Sequence, residues 1–79
     1  MSYSSNNGGQ ILRLQVGSRM LPAKIIRFNK MNGDEEESDF ETMHAEVSRA
    51  YVDPTTMIGV LTEGGQVQTP FSTFRLQVD

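Results

Sequence analysis

The chain has 79 residues, no cysteine, seven basic against ten acidic residues and a net charge of -3. A chain this short buries only about 60% of its unfolded surface, so it holds one small domain; disulfides and thiolate zinc sites are excluded, which leaves oligomerisation as the stabiliser. No apolar stretch approaches the roughly 18 residues of a membrane span, and MSYSSNNGGQ has neither the basic region nor the apolar core of a signal peptide. The expectation is a soluble cytoplasmic protein, or a virion protein if virus-encoded.

Residues 1–10 are mostly Ser, Asn and Gly, which cannot bury enough apolar surface to offset the entropy of ordering. A flexible N-terminal arm is expected there, ordered only where a neighbouring subunit or partner holds it, followed by a single domain over 11–79. From Gln10 to Val16, Leu12, Leu14 and Val16 alternate with Arg13 and Gln15, the period of a half-buried strand. Gly17-Ser18 ends it. Residues 19–31, RMLPAKIIRFNKM, read as a second, longer strand in which Leu21, Ala23 and Ile25 oppose Met20, Ile26 and Phe28; a bulge near Pro22 or Ala23 would reconcile the two faces. In this alternation Arg13 and Arg27 fall on outward positions.

Asn32-Gly33 followed by DEEESD is a turn and a run of solvated charge. The next segment, FETMHAEVSRAYVDP, fits two periods. As a helix over about 39–52 it has Ser38 as N-cap, Glu41 three residues on, an apolar stripe of Phe40, Met43, Val47, Ala50 and Tyr51, and Asp53-Pro54 as the stop. As a strand it sets Met43, Ala45, Val47 and Tyr51 against Thr42, His44, Glu46 and Ser48. Beyond it lie a short apolar strand around Met57 to Leu61, a Glu63-Gly64-Gly65 hairpin turn, a strand from Gln66 to Thr69, a PFST kink and a last strand from Phe74 to Val78.

The order strand, DPTT turn, strand, GG turn, strand, PFST turn, final strand over residues 44–78 resembles the C-terminal half of SH3-like small β-barrels of the Tudor and KOW type. The resemblance implies an all-β fold, a small five-stranded barrel with an acidic hairpin loop. Neither the aromatic cluster of a methyl-ligand cage nor the basic and Gly spacing of a KOW motif is present, so no ligand is implied. The competing layout is α+β, β-β-α-β-β, with the helix at 39–52. In a closed barrel the first and last strands adjoin. The tetrapeptide RLQV, at Arg13–Val16 and again at Arg75–Val78, would then line the closing seam, with an acid such as Glu46, Asp53 or Asp79 between the two arginines.

Charge is laid out in blocks. Residues 1–33 carry Arg13, Arg19, Lys24, Arg27 and Lys30 and no acid, whereas 34–41 carry Asp34, Glu35, Glu36, Glu37, Asp39 and Glu41 and no base. The acids lack the spaced oxygen ligands of a calcium loop, so no metal is expected. His44 is the sole imidazole and reads as an exposed polar residue, and a solvated acidic loop cannot tune paired carboxylates, so neither catalysis nor a cofactor is expected. The leading expectation is a non-enzymatic protein-binding module, working as a homo-oligomer or as an accessory or structural subunit of a larger assembly. Its basic N-terminal hairpin and acidic loop would be the contact surfaces. The alternatives are an RNA- or DNA-binding barrel using the five basic residues with Phe28 as a stacking platform, or an acidic-loop inhibitor of a host nucleic-acid-binding enzyme.

Overall fold

The computed structural model describes residues 12–79; the expected N-terminal arm lies outside the described residues. The alternating stretches LRLQV and RMLPAKIIRFN form strands β1 (Leu12–Val16) and β2 (Arg19–Asn29), joined by the two-residue turn Gly17-Ser18 with Gly17 at φ +63°. Pairing runs without a slip from Val16↔Arg19 to Leu12↔Ala23, and on the other edge of β2 from Ala23↔Val78 to Asn29↔Ser72, so the expected bulge at Pro22 or Ala23 does not form. Pro22 is accommodated differently. Its carbonyl accepts from the Asp79 N–H at 3.3 Å, so its backbone polar edge points away from β1 and the missing N–H falls just beyond the last ladder pair.

After β2 the chain turns at Gly33 (φ +76°), with Asn29 and Asn32 side-chain oxygens accepting from the N–H groups of Met31 and Asp34. The acids that follow are not a loop: Glu35–Ser38 form β3, antiparallel to Phe28–Ile25. Residues Ile25–Phe28 also pair with β5 (Ser72–Val78), and Ala23 pairs with both β1 and β5. Hence β2 is the spine, with β1 and β3 end to end along one edge and β5 along the other; β4 (Val67–Gln68) pairs with β5.

Two helices follow: the first realises the helical alternative for 39–52, and the second stands where a strand around Met57 to Leu61 was expected. Helix α1 spans Phe40–Ala50 and α2 spans Pro54–Thr62. Asp39, not Ser38, caps α1, its Oδ1 accepting from the Thr42 N–H at 2.7 Å, while Glu41 in the first turn and Arg49 in the last complement the helix dipole. The burial is helical: Met43 and Val47 are fully buried and Phe40 and Tyr51 pack against the core, whereas Ala45, which a strand would have turned inward, is exposed. Asp53-Pro54-Thr55-Thr56 is likewise a helix start. Asp53 Oδ1 accepts from the N–H groups of Thr55 and Thr56 at 3.1 and 3.3 Å, and Pro54 occupies the first turn, where no intrahelical donor is needed. Gly64 and Gly65 end α2 rather than turning a hairpin. The Gly65 N–H reaches the Val60 carbonyl (2.9 Å) and the Gly64 N–H the Leu61 carbonyl (3.0 Å), the paired bonds of a Schellman cap with Gly64 at φ +94°.

The result is mostly β, a curled antiparallel half-barrel with both helices on its inner face. The two RLQV copies lie on opposite edges of β2, so they do not meet at a closing seam. Helix α2 packs against β1 and against β4 and β5, filling the space where the sheet would otherwise have closed. Phe74, Met43, Leu61 and Val47 are fully buried between the layers, each worth about 1.5–3 kcal/mol of transfer free energy.

Candidate functional site

Because β2 has no bulge, Ala23, Ile25 and Arg27 share one face, and that face points at the helices. Arg27 is therefore directed inward, contrary to the outward position expected of it. Its Nε and Nη2 donate to Glu46 Oε1 at 3.2 and 3.0 Å, and the two side chains are only 18% and 12% exposed. The other carboxylate oxygen, Oε2, accepts from the hydroxyls of Thr69 and Ser72. Thr69 Oγ1 in turn accepts from the N–H groups of Phe71 (3.2 Å) and Ser72 (3.0 Å), which shapes the turn between β4 and β5.

Burial alone would raise the Glu46 carboxyl; hydrogen bonds from Ser72, Thr69 and Arg27, with the guanidinium charge, outweigh it and hold the group below the usual carboxylate range. A small depression of about 70 Å³ adjoins the cluster, lined by Glu46, Arg49, Ala50, Thr69, Pro70 and Phe71. Chemically the cluster is a clamp. Ser72 is fully buried, the Thr69 hydroxyl is saturated by its neighbours, and the carboxylate has a donor on each oxygen, so the cluster ties α1, β2 and the β4–β5 turn together.

The outer face of the sheet is different, because no described helix covers it. Alternation places Met20, Lys24, Ile26 and Phe28 of β2 there, beside Arg13 and Gln15 of β1, Glu35 and Glu37 of β3, and Thr73, Arg75 and Gln77 of β5. Ile26 is buried without belonging to the inner core, while Met20 (48%) and Phe28 (38%) are open to solvent. Ile26, Phe28, Glu35, Gln66, Thr73 and Arg75 line a shallow depression of about 200 Å³, bridged at its rim by the Arg75–Glu35 ion pair at 3.4 Å. The acid near Arg75 is thus Glu35, not Glu46, Asp53 or Asp79.

The five basic residues do not assemble into one surface. Arg13 and Lys24 share the outer face, Arg19 sits at the hairpin end, Arg27 is bound to Glu46, and Lys30 reaches the Thr69 carbonyl (2.8 Å) and Gln68 Oε1 (3.3 Å). The acids are dispersed as well. Asp34 lies in the turn, Glu35 and Glu37 face outward, Glu36 lies opposite Arg27, Glu41 opens α1, and Asp39 caps it, with its carboxyl lowered by the Thr42 side-chain and backbone bonds. Among the described residues no three His, Cys, Asp or Glu side chains converge where a metal could sit, and no helix is long and apolar enough to cross a membrane. His44 lies on α1 with its ring centroid 5.6 Å from that of Phe40.

Sequence reading missed the Thr69–Ser72–Glu46 clamp, which joins residues 23 and 26 positions apart. Its one local signal was Arg27, whose even spacing from Ile25 marked it as inward once the bulge is set aside. Comparison with known proteins finds no matching family model, no matching curated protein and no matching solved structure.

Proposed function

We propose that this chain is a non-enzymatic protein-binding module, acting as a homo-oligomer or as an accessory subunit of a larger assembly. The observation that carries the reading is the outer face of the sheet, which no described helix covers. It sets exposed Met20 and Phe28 around buried Ile26, among Arg13, Lys24 and Arg75 on one side of the charge balance and Glu35 and Glu37 on the other. A mixture of apolar anchors with both signs of charge suits a protein surface; a phosphate backbone would favour an unbroken basic track. The nucleic-acid alternative loses Arg27 and Lys30, whose charged groups are occupied within the chain. The inner clamp supports the non-enzymatic part of the reading, since its carboxylate is committed to structure.

Affinity capture from the native source tests this, using the wild-type chain beside the double variant Met20→Asp, Phe28→Asp. Both positions are exposed, so the variant keeps its fold, which circular dichroism verifies. A protein retained by the wild type and lost by the variant supports the reading; retention of nucleic acid, or equal retention by both chains, contradicts it.

A further inference from the structure

We propose that the protein dimerises by antiparallel pairing of β1 with β1 of a second copy, about a two-fold axis through Leu14; this deepens the homo-oligomer form of the protein-binding reading, through a strand edge separate from the outer face. The Pro22 carbonyl bonds to Asp79 on the β5 side, so the Arg13↔Pro22 pair is one of the non-bonded pairs of the β1–β2 ladder. Leu12 and Leu14 therefore turn their backbone groups to β2, while Arg13 and Gln15 turn theirs to the opposite edge. Among the described residues no strand pairs with that edge.

Centring the two-fold on Leu14 sets Arg13 opposite Gln15 of the second copy and Gln15 opposite its Arg13. Both are bonded pairs, so four backbone hydrogen bonds cross the interface, and no like charges meet. Two of the other edges are poorer candidates for a second copy. Self-pairing of β3 would stack Glu35, Glu36 and Glu37 against their own kind, and β4 has only two residues. A two-fold normal to the joined sheet keeps both inner faces on one side. The adjoining α2, with no charged residue from Pro54 to Thr62 and with Met57, Ile58 and Val60 half-buried, then follows β1 to that side without charge repulsion.

The test combines sedimentation equilibrium of the full chain with amide hydrogen exchange, on the wild type and on two variants of exposed Gln15. The expected mass rises with concentration from 8.8 kDa to twice that value, and the Arg13 and Gln15 amides become protected as the dimer forms. Gln15→Arg puts two arginine pairs across the axis and weakens dimerisation by about tenfold, whereas Gln15→Glu, which meets Arg13 of the second copy, strengthens it by a similar factor. A dimer whose Arg13 and Gln15 amides exchange freely overturns the edge and leaves the protein-binding reading standing. Protection of both amides in a monomer overturns it too, since the chain's own N-terminal residues would then occupy the edge. Masses climbing past the dimer point to head-to-tail association and contradict the two-fold. A monomer with exchanging amides refutes the inference, while the protein-binding reading still stands or falls on capture by the outer face.

Discussion

Replacing Glu46 by Gln probes the clamp that holds α1, β2 and the β4–β5 turn together. The side chain keeps its shape, so packing is preserved and electrostatics alone changes. The amide oxygen still accepts from the Arg27 guanidinium, but the ion pair is lost, and the amide nitrogen meets the Thr69 and Ser72 hydroxyls as a donor. Ser72 can reverse its role. Thr69 Oγ1 already accepts from two backbone N–H groups, so its proton must turn to the Ser72 carbonyl at 3.2 Å. Bonds to a charged group contribute about 1.5–3 kcal/mol against 0.5–1.5 for neutral ones, so loss of charge assistance and one rearranged contact amount to roughly 2–3 kcal/mol. That is a large share of the roughly 4–12 kcal/mol expected for a domain this size. At a urea slope of about 1 kcal/mol/M the midpoint falls by about 2–3 M.

The pH dependence has a definite sign. The folded Glu46 carboxyl lies below the ordinary glutamate value near 4.5. Its contribution is therefore present above that value and is lost as pH falls through the lowered folded one. The wild type and the Gln variant should converge in stability over that acidic window. A Gln variant within about 0.5 kcal/mol of wild type at neutral pH, the range of ordinary surface changes, would refute the clamp.

Further outcomes follow from the packing and the fold. Gly65→Ala should destabilise, because its Cβ would lie 2.7 Å from Val60 Cγ1 and 3.2 Å from the Val60 carbonyl oxygen, whereas Gly59→Ala, with nothing within 4 Å, should raise the thermal midpoint through about 1 kcal/mol of helix propensity. Phe74→Ala should cost about 3–5 kcal/mol in urea unfolding, since the ring is fully buried between sheet and helices. Arg75→Ala should change stability by less than about 1 kcal/mol, its pair with Glu35 being long and exposed. Circular dichroism should show a distinct 222 nm band from the 11 residues of α1 and 9 of α2, which an all-β barrel would lack.

The strands that alternate were legible from sequence: LRLQV, the long β2, the Asn32-Gly33 turn and Val67–Gln68 fall where period two and turn chemistry place them, while the last strand starts at Ser72, inside the expected PFST kink, rather than at Phe74. Helix α1 was legible only as one of two alternatives and α2 not at all, for two reasons of chemistry. In α1, Met43, Ala45 and Val47 satisfy both periods, and the decision lies in the Asp39 cap and in burial by a sheet formed from distant residues. In α2, Asp53-Pro54 and Gly64-Gly65 serve turns and helix ends equally well, and the apolar run between them has no period to separate strand from helix. Glu35–Ser38 misled in the opposite way, since three acids in a row suggest a loop until an edge of β2 is there to pair with them. Of the site, the basic and acidic blocks were visible, but their division between the two faces depended on whether β2 bulged at Pro22. An unbulged β2 sends Arg27 inward and leaves Met20, Ile26 and Phe28 together on the outer face.

The outer face and the β1 edge, which no described element covers, both depend on the sheet staying open, with β1 and β5 on opposite sides of β2. Nuclear Overhauser effects from the backbone of Ala23 report this directly, because Ala23 pairs with Leu12 on one edge and Val78 on the other. Cross-strand contacts from Ala23 to both residues are expected. A ladder of contacts running directly between β1 and β5, such as Leu14 to Leu76, would contradict the open sheet, since a barrel closed there leaves no free β1 edge.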